Sequence, residues 1–456
     1  MVDASMYSQA IRQLLKTVQA EEGDVIRISF GSAQYDGVLL PASAEDRDIL
    51  VLKLPSGYNI GLRPDASARV EKRSSEKRVL SSIPASSFSG KNLPGVSVIA
   101  TGGTIGTHVD YSTGAVFMCR TPEEILGTTP ELRDVVTIRS VRSPFTMASE
   151  DLQPWHWQKL AEEAEHALND LELKGVIITH GTDTLHYSSA ALAFMLPGLN
   201  KPVALVGAQR SPDRGSFDGR LNLLCAAHYA GHSPFAEVAV VMHGSSSDDF
   251  CYAHRGTKVR KMHTSERDAF QSINDRPLAR ISSQGEIQAL ATHVRKRSDN
   301  EVKADTRFEN KTALLKLYPG SDPALLDYLV DNQYRGVVLE AFALGHVPTG
   351  QSGTVMTGYD KKRAWIPAVK RAVKNGVVLA VTSQCLNGRV HPNVYRNLRL
   401  LSSAGATFCS DLLPETAYVK LGCALGRSSD SREVQNMLLQ NWASEYNPRL
   451  TSVELK

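Results

Sequence analysis

Residues 175–194 read GVIITHGTDTLHYSSAALAF and combine an apolar run, a glycine turn and a helical pattern in one stretch. A short, continuously apolar run rich in β-branched residues predicts a strand that is buried on both faces. After the turn at Gly181 come Thr182 and Asp183, which would stand at the carboxyl end of that strand. Ligands of open α/β sheets bind at this edge. The stretch therefore predicts both the fold class and the place of a polar site.

The same architecture occurs earlier, in VIATGGTIGT at residues 98–107. An apolar run leads directly into Gly102 and Gly103, which permit a tight backbone turn and the close approach of a ligand. Thr104 then stands at the end of the strand, where its hydroxyl is a candidate nucleophile if a neighbouring base removes its proton. Taken alone, this motif also fits a phosphate-binding loop or a simple tight turn, just as HGTDT alone fits a helix cap.

Apolar runs alternate with helical patterns along most of the chain, which predicts an α/β fold with parallel, doubly wound sheets. Residues 94–300 are expected to form the N-terminal α/β catalytic domain, and residues 301–456 a second, smaller α/β domain. Residues 1–63 show a helical pattern followed by short β-rich runs, which predicts a small β-barrel-like domain with a leading helix. Residues 64–93 are rich in Ser, Pro, Lys and Arg and are interpreted as a linker, with an RNA-binding segment as the alternative.

The composition is that of an ordinary soluble globular protein: 456 residues, 42% hydrophobic and 22% charged, with a formal net charge of +3. This weak basic bias does not argue for a dedicated nucleic-acid-binding surface. No apolar run approaches the ~20 residues that span a bilayer. The six cysteines are scattered and form no CxxC pair, so we expect reduced thiols and a cytoplasmic location.

A third segment, RGTKVRKMHTSERDAFQSIN at residues 255–274, contains Lys258 and Lys261 among polar neighbours. A lysine serves as a base only if its pKa falls well below about 10.4 through burial or a nearby positive group. An ordinary exposed basic loop is the alternative interpretation. His180 and His186 suggest a metal, but no further cluster at ligand spacing supports one, so we interpret both as structural and expect no metal in this chain.

The three segments, TGGTI, HGTDT and the lysine segment, resemble the L-asparaginase family in content and order, over roughly residues 94–425. The resemblance implies a two-domain asparaginase-like fold behind the small N-terminal domain. It implies Thr104 as the nucleophile, and a triad of Thr182, Asp183 and Lys261. It also implies that Tyr111, on a lid that follows the first motif, orients or activates the nucleophile.

The resemblance further implies that Ser149 helps to hold the substrate, with Glu150 adjacent. A small amino-acid amide needs anchors for its α-carboxylate and its α-ammonium group, and hydroxyls, backbone N–H groups and acids at strand ends can provide them. The turns at Gly103 and Gly181 are expected to line this substrate site. Their N–H groups are also the expected donors to the oxyanion of the intermediate, each worth roughly 3 kcal/mol.

Several further segments, YDGVLLP, SQCLNGRV and DLLPETAYVK among them, resemble the D subunits of archaeal glutamyl-tRNA(Gln) amidotransferases over nearly the whole chain. That resemblance implies glutamine hydrolysis and transfer of the ammonia to a partner, the E subunit, which binds Glu-tRNA(Gln). It implies a homodimer through the asparaginase-like domains and an α2β2 heterotetramer. The chain contains no GxxxxGK[ST] loop, so we expect no cofactor here and ATP with Mg on the partner.

Two departures from the family pattern are visible. Residues 340–346 read EAFALGH where a glycine-rich turn is usual, and Ala341 and Ala343 remove backbone freedom there. Phe217 stands where a small polar residue is common, and we expect only a local change of packing.

Two other functions compete with this interpretation. A stand-alone cytoplasmic L-asparaginase would not need the N-terminal β domain. A non-catalytic amino-acid sensor or scaffold subunit would not need the threonines, the aspartate, the lysine and the tyrosine together.

We predict that Thr104→Val abolishes ammonia release and leaves the fold intact, because valine keeps the shape of threonine and removes the nucleophilic oxygen. Ammonia production and thermal unfolding of the two proteins are the measurements. Turnover near that of the wild type would refute Thr104 as the nucleophile.

Overall fold

The computed structural model describes residues 7–21, 23–40, 47–54, 59–65, 67–74, 93–103, 105, 107–110, 115–118, 129–210, 216–350 and 362–449. Within these ranges the α-helices span Gln9–Lys16, Pro154–Asn169, Leu185–Met195, Gly219–His232, Ala324–Asp331, Trp365–Lys374, Arg396–Ser403, Pro414–Arg427 and Ser431–Leu439. Short 3₁₀ helices cover Pro130–Asp134 and Ser149–Asp151. None of the helices described is long and apolar enough to cross a bilayer.

An antiparallel sheet of five strands, in the order β4-β3-β2-β1-β5, forms the N-terminal region. Its strands are β1 Val25–Phe30, β2 Ala33–Leu39, β3 Leu50–Lys53, β4 Asn59–Leu62 and β5 Arg69–Ser74. The leading helix packs on it through Ile11 and Leu15, which are buried with Ile26 and Ile28 of β1. Buried and half-buried positions alternate along most of β1, as expected for a sheet with one covered face.

Strand β5 corrects the expected linker at residues 64–93. It pairs with β1 in antiparallel register, with Val70 opposite Ile28, so the sheet continues at least to residue 74. The sequence RVEKRS hides this strand because Val70 is its one apolar side chain. An edge strand is held in the sheet by backbone hydrogen bonds to its neighbour, so it needs few apolar side chains of its own. Residues 75–92 of the expected linker lie outside the described residues.

The second sheet has eight strands in the order β17-β16-β13-β12-β11-β10-β6-β9. They are β6 Gly95–Ala100, β9 Thr137–Arg142, β10 Leu173–Thr179, β11 Val203–Val206, β12 Val238–His243, β13 Phe250–Arg255, β16 Ala279–Ser282 and β17 Ile287–Ala289. The five strands from β9 to β12 are parallel and β13, β16 and β17 extend the sheet in antiparallel fashion. Two separate hairpins are formed by β7 Thr107–Asp110 with β8 Ala115–Met118, and by β14 Val259–Lys261 with β15 Phe270–Ser272.

Both faces of this sheet are covered by helices, as the continuous apolar strands predicted. The helices Pro154–Asn169 and Leu185–Met195 pack on one face, and Gly219–His232 packs on the other. The strands β6, β10, β11 and β12 are buried along most or all of their length. Polar groups that follow these strands are therefore collected at one edge of the sheet.

A third sheet, of four parallel strands, forms the C-terminal domain in the order β18-β19-β20-β21. Its strands are β18 Thr312–Lys316, β19 Gly336–Ala341, β20 Val378–Ser383 and β21 Thr407–Phe408. The helix Pro414–Arg427 joins the two α/β domains, because its Val419 and Cys423 are buried in the core of the N-terminal α/β domain.

The two departures from the family pattern have local consequences. Ala343 adopts a left-handed conformation with φ of 45°, and the glycine that remains, Gly345, has φ of 105° with its backbone against the ring of Phe408. The turn thus forms although an L side chain is strained in that conformation at position 343. Phe217 lies half-buried against the core under the helix Gly219–His232, and a Cβ placed on Gly219 would clash with its ring.

The C-terminal segment is fastened to the helix Pro414–Arg427 by a buried charge. Lys420 is fully buried, and its Nζ lies 2.6 Å from Oε1 of Glu445, which is buried as well. The same Nζ donates to the carbonyl oxygen of Leu438 at 2.9 Å and lies 5.0 Å from the ring centre of Trp442. Such a pair holds the chain end in place, because neither charge can return to water without the other.

We predict that Glu445→Gln lowers the free energy of unfolding by about 3–5 kcal/mol, because Lys420 then stays buried without a counter-charge. Denaturation in urea, followed through tryptophan fluorescence, measures the change. The matched control is Glu162→Gln, which breaks a pair with Lys159 whose side chains are 49% and 45% exposed and should cost less than about 1 kcal/mol. Equal effects of the two substitutions would contradict the prediction.

Candidate functional site

The carboxyl ends of β6 and β10 bring two glycine turns into direct contact. The turns start from paired strands, and the backbone N–H of Thr101 donates to the carbonyl oxygen of Thr179 at 3.1 Å. Gly103 has φ of 79°, and a Cβ placed on it would lie 2.7 Å from the backbone nitrogen of Gly181. Glycine is therefore required at position 103 for both conformation and space. Gly103 and Gly181, both expected at the substrate site, do lie side by side.

The loop that follows β9 lies at the same edge of the sheet. It carries Ser149, which is buried, and a Cβ placed on Gly181 would lie 2.8 Å from the Ser149 hydroxyl oxygen. Thr184 donates its hydroxyl hydrogen to the carbonyl oxygen of Ser149 at 2.7 Å. The sequence did not predict this hydrogen bond between the HGTDT motif and the loop after β9. The only signal for it is that Thr184 carries a hydroxyl next to HGTD. Glu150, beside Ser149, is exposed.

Lys261 contacts both polar residues of the HGTDT motif. Its Nζ donates to Oγ1 of Thr182 at 2.9 Å and to Oδ1 of Asp183 at 2.7 Å. The lysine side chain is 11% exposed, whereas that of Asp183 is 63% exposed. This geometry puts the Thr182 hydroxyl and the Lys261 amine within range of proton exchange, and the Asp183 carboxylate lies where it stabilises a positive charge on that amine. The structure thus brings Thr182, Asp183 and Lys261, the expected triad, into contact.

The β14–β15 hairpin fixes the position of Lys261. Lys261 is paired with Phe270 across the hairpin, and Phe270 and Val259 are buried in the core that covers the helix Leu185–Met195. Because that helix begins directly after HGTD, the core fixes the hairpin relative to the motif that the lysine contacts. Thr104 and Tyr111, the expected nucleophile and lid tyrosine, lie outside the described residues.

Lys258, the other candidate lysine, is not in this site. It is fully buried, and its Nζ lies 2.6 Å from Oδ2 of Asp411, also fully buried, in the C-terminal domain. Burial lowers the pKa of Lys258, and the Asp411 carboxylate opposes that shift. The spacing of the two lysines could not assign their roles. It is Asp411, distant in the sequence, that holds Lys258 in the protein interior.

The two histidines of the motif are buried beside the turn. Nδ1 of His180 lies 2.6 Å from the carbonyl oxygen of Gly181, and its Nε2 lies 2.8 Å from the Ser188 hydroxyl. Burial lowers the pKa of His180 to about 4 and that of His186 to about 3, with Arg260 and Lys261 adding to the shift of His186. Both rings are therefore neutral at neutral pH. Within the described ranges no three side chains are grouped so that they could hold a metal ion.

A cleft of about 430 Å³ opens next to the triad. The charged groups that border it are Lys261 and Arg260, which are positive, and Asp183 and Glu415, which are negative. A cleft with both signs of charge suits a small zwitterion, whose carboxylate and ammonium group each need an opposite partner. His186 also borders this cleft, and its buried Nδ1 has no hydrogen-bond partner among the described residues.

Three family models match the chain. They are "Asparaginase, N-terminal" over residues 95–295, "Glutaminase/Asparaginase C-terminal domain" over residues 311–438 and "GatD N-terminal domain" over residues 20–72. The last of these matches ends inside β5, in agreement with the corrected extent of the first sheet.

Curated relatives match along almost the entire chain. The D subunit of glutamyl-tRNA(Gln) amidotransferase from Pyrococcus furiosus is 46% identical over 446 residues, which is 96% of this chain and 98% of the relative. Its counterpart from Methanopyrus kandleri is 42% identical, over 97% of this chain and 95% of the relative. Among solved structures, the thermostable L-asparaginase from Thermococcus kodakarensis is 27% identical, with a TM-score of 0.68, over 78% of this chain and 100% of that one. L-asparaginase I from Vibrio cholerae is 26% identical, with a TM-score of 0.63, over 78% and 99%.

Acidification is expected to destabilise the fold through His180. The pKa of this ring is about 4 in the folded chain and 6.5 in an ordinary side chain, so the unfolded chain binds the extra proton in the window between them. The contribution of His180 to the free energy of unfolding is fully present above about pH 6.5. It is lost as the pH falls towards about 4, by about 3 kcal/mol at most.

Urea denaturation across this pH window tests the expectation. His180→Gln should flatten the dependence on pH, since glutamine keeps a polar partner for Ser188 and does not titrate. His263→Gln, at a side chain that is 45% exposed, is the matched control and should leave the slope unchanged. An equally steep slope in wild type and His180→Gln would refute the assignment.

Proposed function

The chain belongs to the family of glutamyl-tRNA(Gln) amidotransferase D subunits, and from this premise we propose that it hydrolyses glutamine with a threonine nucleophile and delivers the ammonia to a tRNA-directed reaction. The family supplies the glutaminase role within the amidotransferase. The observation that carries the proposed chemistry is the contact of Lys261 with Thr182 and Asp183 beside the apposed glycine turns.

The first step forms an ester. The hydroxyl oxygen of Thr104 attacks the side-chain amide carbon of glutamine. Tyr111 orients the hydroxyl and relays its proton, because the phenol gives its own proton to the leaving nitrogen as it takes up that of Thr104. The carbon–nitrogen bond then breaks, and the leaving nitrogen takes up a proton and departs as ammonia. Splitting amide hydrolysis in this way replaces one difficult step by two easier ones.

The second step hydrolyses the ester. Water attacks the ester carbon, the bond to the Thr104 oxygen breaks, and glutamate leaves while that oxygen takes up a proton and becomes a hydroxyl again. Thr182 and Lys261 give the water's proton a route, because the Thr182 hydroxyl can pass its own proton to a neutral Lys261 amine at 2.9 Å and accept one from the water. Asp183, at 2.7 Å from the amine, balances the charge that develops on it.

The substrate is held by the groups that surround these turns. The Ser149 hydroxyl and backbone N–H groups near Gly103 and Gly181 bind the α-carboxylate and the oxyanion, and the acids Asp183 and Glu150 bind the ammonium group. An oxyanion donor of this kind contributes roughly 3 kcal/mol to the transition state. Asp183 thus serves both the substrate and the triad, which its exposure to the cleft supports.

The proposal includes an assembly in the cytoplasm. The chain pairs with itself through the asparaginase-like domains and binds an E subunit in an α2β2 heterotetramer. The partner holds ATP with Mg and most of the tRNA. In support, this chain carries a formal net charge of only +3 and no GxxxxGK[ST] loop, so nucleotide chemistry and strong RNA binding fit another chain better.

A stand-alone cytoplasmic L-asparaginase is the second candidate. The likeness to the asparaginase structures favours it, but that likeness covers 78% of this chain. The N-terminal sheet is matched instead by the "GatD N-terminal domain" model. A non-catalytic amino-acid sensor, the third possibility, leaves the contact of Lys261 with Thr182 without a purpose.

The deciding experiment measures ammonia release from glutamine and from asparagine, with the purified chain alone and with an archaeal E subunit and Glu-tRNA(Gln). We expect glutamine hydrolysis that rises with the partner and charged tRNA. Lys261→Ala should lower kcat by about 10²–10⁴-fold, since the base is lost, whereas Lys159→Ala, at an exposed surface pair, should have no effect.

Strong asparagine hydrolysis by the chain alone, indifferent to the partner, would favour the asparaginase. Ligand binding without turnover under all conditions would favour the sensor. A diazoketone analogue of glutamine alkylates the nucleophilic oxygen with loss of dinitrogen, and peptide mass analysis of the stable adduct locates the nucleophile. A label on Thr182 instead of Thr104 would reverse the roles of the two threonines.

A further inference from the structure

The strand that carries Lys261 contacts two different domains through its two faces. Successive side chains of a strand point to opposite faces, and β14 follows this rule. Lys261 turns towards Thr182 and Asp183 of the N-terminal α/β domain. Arg260 turns the other way, and its Nη2 lies 2.9 Å from Oε1 of Glu415 in the C-terminal domain.

Lys258, two positions before Arg260, makes a second contact with the same domain. Its Nζ lies 2.6 Å from Oδ2 of Asp411, and both side chains are fully buried. Asp411 and Glu415 lie on either side of the start of the helix Pro414–Arg427. Two basic side chains, Arg260 in β14 and Lys258 just before it, therefore meet two acidic side chains from one short segment of the C-terminal domain.

Neutral hydrogen bonds hold the base of the hairpin to the same domain. Thr416 donates its hydroxyl hydrogen to the carbonyl oxygen of Thr257 at 3.1 Å. Two residues after β15, Nδ2 of Asn274 donates to the carbonyl oxygen of Gly388 at 3.1 Å, and the N–H of Gly388 donates back to Oδ1 of Asn274 at 2.8 Å. Both ends of the hairpin base are thereby fixed to the C-terminal domain.

We infer that Asp411 and Glu415 are positioning residues, which set the distance between the Lys261 amine and the Thr182 hydroxyl by pulling on Lys258 and Arg260. The inference rests on the proposed function, because it concerns the geometry of the proposed base. The pair of Lys258 with Asp411 acts strongly here, since both side chains are buried and buried charges are screened little by water or salt. A misplacement of about 1 Å at a reacting group can cost about 10²-fold in rate.

Asp411→Asn is the first test, because it removes the charge and keeps the shape at a position away from the cleft. Turnover is measured in the full chain, in the assembly that releases ammonia from glutamine. We expect kcat to fall about tenfold or more, while KM changes less than about threefold, since the substrate contacts remain. Active sites are counted with the diazoketone analogue, so that kcat refers to folded enzyme alone.

A charge swap is the second test and does not depend on how well Asp411→Asn folds. Arg260→Glu and Glu415→Arg, made singly, should each lower kcat about tenfold or more. Because both side chains border the cleft, KM is measured separately, and the double variant should return kcat to within about threefold of the wild type. Glu309→Gln is the matched control. It breaks the pair with Arg335 in the C-terminal domain, 2.9 Å between Nη1 and Oε2, and should leave kcat unchanged.

The outcomes separate the inference from the proposed function. If Lys261→Ala keeps wild-type turnover, the proposed role of the base fails, and the inference with it. If Lys261→Ala is inactive while Asp411→Asn and the single swaps keep wild-type kcat per active site, the positioning role is overturned and the proposed function stands. The positioning role is also overturned if the double variant is folded, its active sites are counted, and its kcat stays as low as that of the single variants.

Discussion

The contact between the turns at Gly103 and Gly181 is the constraint on which the remaining geometry depends. The two strands are neighbours in the parallel sheet, and their turns approach so closely that a Cβ on Gly103 would lie 2.7 Å from the next backbone. No other residue type satisfies both the positive φ and this space. Everything polar at the site is then placed relative to these turns, because they carry its residues on a rigid edge.

Electrostatics supplies the second layer of this organisation. Lys258, Lys420 and Arg255 are buried cations, and each has a carboxylate within 3.2 Å. Buried pairs are costly to assemble, so they add little net stability but penalise any arrangement that separates them. Around the site they therefore select one placement of the hairpin and of the chain end.

Much of the fold could be predicted from the sequence, because the apolar strands and the glycine turns are local patterns. The same holds for Thr182, Asp183 and Lys261, which the structure joins through hydrogen bonds. What escaped prediction depends on distant partners. Strand β5 has a single apolar side chain and is defined by its pairing with β1. The different roles of Lys258 and Lys261 depend on Asp411, far along the chain, which no local pattern reveals.

The attachment of the β14–β15 hairpin has a consequence for the way such proteins can be recombined. The hairpin belongs by chain order to the N-terminal α/β domain, yet Asp411, Glu415 and Thr416 hold it from the C-terminal domain. The hairpin and the acidic segment that holds it therefore form one structural unit, although the domain boundary along the chain separates them. A chimera that exchanges whole domains between relatives separates the hairpin from its acidic segment. Exchange keeps the unit intact only where residues 255–274 and 411–416 are inherited together.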